Sequence, residues 1–316
     1  MKRRSATLTA IAVASMVTGC GSSRLEPGEG FIDVTGGQVW YRVVGTGDGT
    51  PLLLLHGGPG APSYYLDPLA ELGDERPVVF YDQLGAGRSE QPTDTTLWRV
   101  SRFVEELATV RAALGLDEVH ILGHSWGTML AVDYMLTEPQ GVRSLVLASP
   151  ALSIPHWLAD TDSLLRTLPD STQAVVLQHE AAGTTDSPEY QAAVMVFYQQ
   201  FLSRRDPWSP EMDSTFAHMG FGVYGYMWGP SEFTATGALK NYDRTDRLGE
   251  LNLPVLFTTG RYDEATPQTV EYYQSLVPGA RFEILEESAH MTMLDQPAEY
   301  VEVVRRFLRG VEGASR

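Results

Sequence analysis

The sequence predicts an α/β fold: a mostly parallel eight-stranded sheet with helices on both faces and an inserted helical cap. Short apolar runs alternate with segments of helical periodicity, and this alternation stops near residue 151 and resumes at Val255. Strands that alternate with helices favour a parallel sheet with right-handed crossovers. A chain of 316 residues with 43% hydrophobic content is long enough for one sizeable core and an insertion.

Eight segments are predicted as strands. The first two, Phe31–Val34 and Val39–Val44, alternate apolar and polar residues around Gly36 and Gly37, which is typical of a hairpin. The other six are short runs of mainly apolar residues, as expected for buried parallel strands. They are Leu52–Leu55, Val78–Tyr81, Val119–Leu122, Ser144–Leu147, Val255–Thr258 and Phe282–Leu285.

Helices are predicted where apolar residues recur at helical spacing. In the core these are Val100–Leu114, Thr128–Leu136, Pro267–Leu276 and Ala298–Leu308. Residues 152–235 carry helical patterns, many aromatic residues and no clear strand. We therefore expect a helical cap at 152–235, inserted into a core made of residues 31–151 and 236–312.

The N-terminus has the composition of an export signal. Basic residues at positions 2–4 precede the apolar run Ala6–Val17, which is too short to span a bilayer. The run leads into Thr18-Gly19-Cys20, which resembles the lipobox of bacterial lipoproteins, and Cys20 is the only cysteine. The resemblance implies a signal peptide at 1–19, lipid attachment to Cys20 and a tether at 20–30. The alternative is an ordinary secretory signal.

The charge balance narrows the range of partners. The formal net charge is −17, and removal of residues 1–19 leaves 20 basic against 40 acidic residues. Such a surface repels phosphate backbones and anionic headgroups, so no nucleic-acid partner is expected and any membrane contact depends on the lipid. It attracts cationic substrates, including peptides with free amino ends.

A nucleophile motif follows one of the predicted strands. Gly123–Gly127 reads G-x-S-x-G between the strand Val119–Leu122 and the helix Thr128–Leu136, the context that the α/β-hydrolase fold requires. The glycines allow a sharp turn to close around a strained serine backbone. The sequence therefore predicts an α/β-hydrolase fold with Ser125 as nucleophile.

A glycine-rich loop, His56–Gly60, follows the strand Leu52–Leu55. In this fold the loop supplies one backbone N–H of the oxyanion hole, and the residue after the nucleophile supplies the other. These positions predict Gly58 and Trp126 as the donors, with Gly57 as the alternative to Gly58. His56 precedes the serine and is expected to be structural.

The acid and the base must follow the serine in that order. Asp263 and Glu264 lie just past the penultimate strand, and His290 lies just past the last one. Each candidate is therefore expected at the sheet edge that carries Ser125. His290 is the predicted base, while position and residue type leave Asp263 and Glu264 both open as the acid.

Three motifs together resemble the prolyl aminopeptidases, also called proline iminopeptidases. They are His56–Gly60 (HGGPG), Asp82–Ser89 (DQLGAGRS) and Gly123–Gly127 (GHSWG). The resemblance covers about residues 31–310. Through Gly229–Phe233 and Tyr262–Glu264 it is nearest to the tricorn-interacting aminopeptidase and proline-amide hydrolase branch.

The resemblance implies a role for each acidic residue. Asp263 is the acid of the triad, and Glu232 and Glu264 hold the free α-amino group of the substrate. The implied activity is release of the N-terminal residue, proline favoured, from short peptides or amino-acid amides through an acyl-enzyme. No metal or organic cofactor is expected.

Two alternatives remain at this point. An esterase or amidase acting on small neutral substrates would share the triad but would tolerate Glu232→Gln. A lipid-anchored binding protein could retain the fold without turnover, although the complete triad and both glycine-rich loops argue against it. Dehalogenase and epoxide-hydrolase activities are disfavoured, because enzymes of those classes have aspartate at the position of Ser125.

Overall fold

The computed structural model describes residues 25–314, which form a central eight-stranded sheet with the strand order β1-β2-β4-β3-β5-β6-β7-β8. β1 and β2 form an antiparallel hairpin, β2 pairs antiparallel with β4, and all other pairs are parallel. The predicted fold class is confirmed. The strands are β1 Gly28–Val34, β2 Gly37–Val44, β3 Leu52–Leu55, β4 Val78–Tyr81, β5 Val119–His124, β6 Val142–Ala148, β7 Val255–Gly260 and β8 Arg281–Leu285.

Helices cover both faces of this sheet. The helices are α1 Val100–Ala113, α2 Trp126–Met135, α3 Ile154–Leu165, α4 Asp170–Ala182, α5 Pro188–Phe201, α6 Pro210–Ala217, α7 Phe221–Met227, α8 Pro267–Ser275, α9 Thr292–Asp295 and α10 Pro297–Ala314. Helices α1, α2 and α8 pack on one face, and α10 packs on the other. Side chains alternate between the two cores along each strand, as in Leu53 and Leu54 of β3.

Helices α3 to α7 lie between β6 and β7, within the segment predicted as a cap. Residues of α3, α4 and α5 form an apolar cluster of their own, in which Val176 and Phe197 are fully buried. This segment therefore has an interior separate from the two cores that cover the sheet. The proposed cap limits, 152 and 235, remain a prediction.

The structure differs from the sequence prediction at the start of the sheet. β1 begins at Gly28 rather than Phe31, because residues 28–30 continue the antiparallel ladder opposite Val43 to Tyr41. The last three residues of the predicted tether therefore belong to the sheet. A 3-10 helix at Ser63–Asp74, which was not predicted, packs beside α10.

The predicted signal peptide and the lipidation site Cys20 lie outside the described residues. Within residues 25–314, every helix is too short or too polar to cross a lipid bilayer.

Candidate active site

Ser125 occupies a strained turn between β5 and α2. Its backbone has φ 54° and ψ −121°, a conformation that non-glycine residues rarely adopt. A Cβ at Gly123 would lie 2.3 Å from the carbonyl oxygen of Gly127, and a Cβ at Gly127 would lie 2.1 Å from that of Leu55. The turn thus closes only with glycine at both positions, and it places Ser125 at the N-terminus of α2, where negative charge is favoured.

The predicted base and acid are in direct contact. His290 Nδ1 donates a hydrogen bond to Asp263 Oδ1 at 2.7 Å, and both residues are buried. Asp263 also accepts hydrogen bonds from the backbone N–H of Ala265 at 2.8 Å and from the hydroxyl of Thr259 at 2.9 Å. Burial alone would raise the pKa of Asp263, but the contact with His290, together with hydrogen bonds from Ser149 and the backbone of Ala265, outweighs it and the pKa is lowered.

The predicted base, His290, is attached to the end of helix α5 through its backbone. The N–H of His290 donates to the carbonyl of Phe201 at 3.1 Å, and the N–H of Met291 donates to that of Leu202 at 2.8 Å. Both acceptors lie at the C-terminal end of α5. The loop that carries His290 is therefore paired with the end of α5.

Ser125 and His290 line the same cavity. Because Nδ1 of His290 is engaged by Asp263, Nε2 is the nitrogen that can accept the serine proton. Among the described residues, the Ser125 hydroxyl forms no hydrogen bond to this ring, and such contacts commonly tighten only when substrate binds. Ser125 and His290 thus face one cavity, and Asp263 is hydrogen-bonded to the ring nitrogen of His290 that Ser125 does not need.

The backbone N–H groups near Ser125 differ in whether they already donate a hydrogen bond. The N–H of Gly57 donates to the Tyr65 hydroxyl at 2.7 Å. The N–H groups of Gly58 and Trp126 have no hydrogen-bond partner within residues 25–314. Of the two loop candidates, Gly58 is therefore the one left free to bind an oxyanion.

Two further carboxylates, Glu232 and Glu264, face the cavity. Glu264 is fully buried, with Oε1 3.9 Å from His290 Nε2, and its Oε2 has no hydrogen-bond partner in the described part of the chain. Glu232 is half-buried, and its Oε1 accepts from the Tyr224 hydroxyl at 2.6 Å. Burial raises the pKa of both, and the charge of Glu232 raises that of Glu264 further.

The cavity has a volume of about 220 Å³ and a largely aromatic wall. Of the cap aromatic residues, six line it: Tyr190, Tyr198, Phe216, Phe221, Tyr224 and Trp228. Trp157 and Phe197 are instead buried in apolar clusters. No group of three or more His, Cys, Asp or Glu side chains within residues 25–314 is arranged to hold a metal ion.

Comparison with known proteins agrees with this arrangement. Residues 50–297 match the family described as "alpha/beta hydrolase fold". A proline iminopeptidase of Heyndrickxia coagulans is 50% identical over 287 residues, covering 90% of this chain and 99% of the relative. One of Saccharolobus solfataricus is 36% identical over 284 residues, covering 89% and 92%.

The chain belongs to the proline iminopeptidase family of α/β hydrolases. A solved proline iminopeptidase of Mycobacterium smegmatis superposes with a TM-score of 0.85 at 33% identity, covering 92% of this chain and all of the other. The resemblance identified from the three sequence motifs is thus confirmed.

The structure adds a residue of this family's DQ motif that was not assigned a role from sequence. Gln83 Nε2 donates to the carbonyl of His56 at 3.0 Å, and its Oε1 accepts from Trp126 Nε1 at 2.8 Å. His56 Nε2 in turn accepts from the backbone N–H of Gln83 at 2.8 Å. Gln83 therefore joins the two loops that carry the candidate oxyanion donors, and His56 is structural as predicted.

A second network was also missed. The Tyr65 hydroxyl, which accepts from Gly57, contacts His124 Nδ1 at 3.0 Å, and His124 Nε2 contacts the carbonyl of His290 at 3.0 Å. Because a carbonyl only accepts, His124 carries its proton on Nε2, and Tyr65 donates to Nδ1. Burial lowers the pKa of His124 to about 3, so the ring stays neutral and ties the oxyanion loop to the base.

Proposed function

We propose that this protein is a serine aminopeptidase that releases the N-terminal residue, proline favoured, from short peptides or amino-acid amides. The observation that carries the proposal is the pair of carboxylates, Glu232 and Glu264, facing the same cavity as Ser125 and His290. Within residues 25–314 neither carboxylate is paired with Lys or Arg. Buried negative charge of this kind needs a cation, and the α-ammonium group of a substrate supplies one.

Binding of the ammonium group fixes the scissile bond. The Glu264 carboxylate lies beside the base, with Oε1 3.9 Å from His290 Nε2, so an ammonium held there brings the adjoining carbonyl group toward Ser125. Glu232 provides a second charged acceptor from the cap. An N-acylated substrate carries no such charge and leaves both carboxylates unpaired, which explains selection for a free amino end.

The chemistry follows from the triad. His290 Nε2 removes the proton of the Ser125 hydroxyl as the oxygen attacks the carbonyl carbon, and Asp263 stabilises the imidazolium. The N–H groups of Gly58 and Trp126 hold the oxyanion. His290 then protonates the departing amine, and water, activated by the same base, cleaves the acyl-enzyme.

Proline preference is supported by the cavity wall and by the relatives. Tyr198, Phe216 and Trp228 present aromatic surface to the cavity, and a pyrrolidine ring packs well on such surfaces. The relatives that match 86–90% of the chain at 36–50% identity are named proline iminopeptidases.

A substrate panel tests the activity. Prolyl-2-naphthylamide should be hydrolysed, alanyl-2-naphthylamide more slowly, and N-acetylprolyl-2-naphthylamide slower than the first by roughly 10²-fold or more. Ser125→Ala should abolish turnover and labelling by a fluorophosphonate probe. Equal cleavage of the free and acetylated substrates would refute the role of the carboxylates, and normal turnover by Ser125→Ala would refute the nucleophile.

The position of Cys20 supports a location. We propose that the protein is exported and anchored to the bacterial cell membrane by lipid on Cys20 after removal of residues 1–19, since the lone cysteine directly follows the small residues Thr18 and Gly19. Cys20→Ser should move the activity from the membrane fraction to the soluble fraction and prevent incorporation of labelled palmitate. Wild-type activity in the soluble fraction, without incorporation of labelled palmitate, would instead favour an ordinary secretory signal.

A further inference from the structure

The Glu232 side chain projects from a tight turn, here called the Glu232 turn and made of residues 231–234. Ser231 and Thr234 close the turn by an antiparallel bridge, with the N–H of Thr234 donating to the carbonyl of Ser231 at 3.3 Å. Glu232 and Phe233 form its tip. The backbone position of Glu232 therefore depends on how the two ends of the turn are held, while its carboxylate is also held directly by the Tyr224 hydroxyl.

A second cap carboxylate, Glu180 of α4, holds both ends of this turn. Its Oε1 accepts from the Ser231 hydroxyl at 2.5 Å, and its Oε2 accepts from the hydroxyl of Thr234. Oε1 also accepts from the hydroxyl of Tyr190 of α5. One carboxylate thus receives three hydroxyl donors from two different parts of the cap, and such charge-assisted bonds are the strong ones.

The other contacts of the turn hold its backbone against the cap interior. Trp228 Nε1 donates to the carbonyl of Ser231 at 3.0 Å, and Trp157 Nε1 donates to that of Glu232 at 3.3 Å. The Phe233 ring packs edge-on against Phe197 at a centroid distance of 4.9 Å. These contacts explain why the turn is folded, whereas the two hydroxyl bonds to Glu180 fix its rotation relative to α4.

We propose that Glu180 is a positioning residue for the substrate's ammonium group, acting through the Glu232 turn. The inference rests on the proposed function, because it requires that Glu232 bind this group. The cavity is lined by Tyr190, Ser231 and Glu232. Glu180 accepts hydrogen bonds from the first two, so it supports this part of the cavity wall from the side that faces away from the substrate. Loss of Glu180 should therefore affect substrates in proportion to their dependence on a charged amine.

A pair of substrates separates this role from a general structural one. Prolyl-2-naphthylamide carries the amine, while p-nitrophenyl cyclopentanecarboxylate keeps a five-membered ring and has carbon in place of the ring nitrogen. Glu180→Leu, which removes all three acceptor contacts, should raise KM and lower kcat/KM for the amine substrate about tenfold. It should leave kcat/KM for the carbocyclic ester within about twofold of the wild type.

Milder variants cover the case in which Glu180→Leu does not fold. Thr234→Val removes the hydroxyl that donates to Glu180, and Glu180→Gln keeps the side-chain shape with fewer acceptors. Both variants should lower kcat/KM for the amine substrate selectively, but by less than Glu180→Leu does. Glu189→Gln is the matched control, because this α5 carboxylate is 70% exposed and contacts His179 rather than the turn. It should leave both substrates unchanged.

A double-mutant cycle decides the proposal. In a Glu232→Gln background, Glu180→Gln should cause no further change in the ratio of the two kcat/KM values. An equal loss for both substrates in every Glu180 variant, or a full additional loss in the Glu232→Gln background, would overturn the positioning role. If Glu232→Gln itself leaves the ratio unchanged, the proposed function fails instead.

Discussion

Gln83 offers a sharp test of how the oxyanion donors are held. Its side chain donates to the His56 carbonyl and accepts from Trp126 Nε1, and both Gln83 and Trp126 are at most 1% exposed. Gln83→Leu would leave these two buried partners unpaired. Each unpaired group costs about 1–3 kcal/mol, so the free energy of unfolding should fall by about 2–6 kcal/mol.

The loss in kcat caused by Gln83→Leu should not exceed the loss caused by removing an oxyanion donor altogether. Complete loss of one donor costs about 2.7–4 kcal/mol, which is roughly 10²–10³ in kcat. Because Gln83 positions the donors without being one, we expect kcat to fall by about 10- to 100-fold, with little change in KM.

Two measurements separate stability from geometry. Steady-state hydrolysis of prolyl-2-naphthylamide gives kcat and KM, and urea unfolding followed by tryptophan fluorescence gives the free energy of unfolding. Gln91→Leu is the matched control, since Gln91 is an exposed glutamine a few residues further along the chain. A Gln83→Leu enzyme that loses the expected stability yet keeps the wild-type kcat would show that the donors do not depend on this bridge.

Three further predictions concern the residues around the triad. Asp263→Asn should lower kcat by about 10⁴-fold with the fold retained, because the imidazole is no longer held in the correct tautomer. Burst kinetics measures this loss. A loss of less than tenfold would indicate that Glu264, rather than Asp263, is the acid of the triad. The preference for prolyl-2-naphthylamide over the carbocyclic ester should decline as the pH is lowered toward the ordinary range of carboxyl groups, because the raised pKa values of Glu232 and Glu264 make both take up protons at a higher pH than exposed glutamates and lose the charge that attracts the amine. The ratio cancels the titration of the shared base, and a pH-independent ratio would count against the carboxylates. Tyr65→Phe should leave Gly57 N–H and His124 Nδ1 unpaired and lower the free energy of unfolding in urea by about 2–6 kcal/mol, whereas an unchanged urea midpoint would contradict a stabilising role for these two hydrogen bonds.

The sheet could be predicted from sequence because each strand is a local signal. Leu52–Leu55 coincides with β3 and Val78–Tyr81 with β4, since a short run buried on both faces is uniformly apolar. The predicted start of β1, Phe31, was three residues too late. Residues Gly28–Gly30 have no alternating side-chain pattern, and they are recognised as part of the strand only by their pairing with β2.

Part of the candidate site could be predicted for the same reason. Ser125, Asp263 and His290 follow strand ends, so topology alone brings them to one edge. Gln83 and Glu180 could not be found in this way. Gln83 contacts residues 27 and 43 positions away, and Glu180 contacts the turn at 51 and 54 positions, separations at which no periodicity operates.

The pairing of the His290 loop with the end of α5 has a consequence for how substrates enter. An outward swing of the cap must break the hydrogen bonds from His290 and Met291 to Phe201 and Leu202, and would release the loop that holds the imidazole. While the cap is open to admit substrate, His290 would therefore not be held in position for catalysis, and it would be held again only when the cap closes. We expect hydrolysis to begin only once the amino end of the substrate is enclosed and the two hydrogen bonds between the His290 loop and the end of α5 are formed.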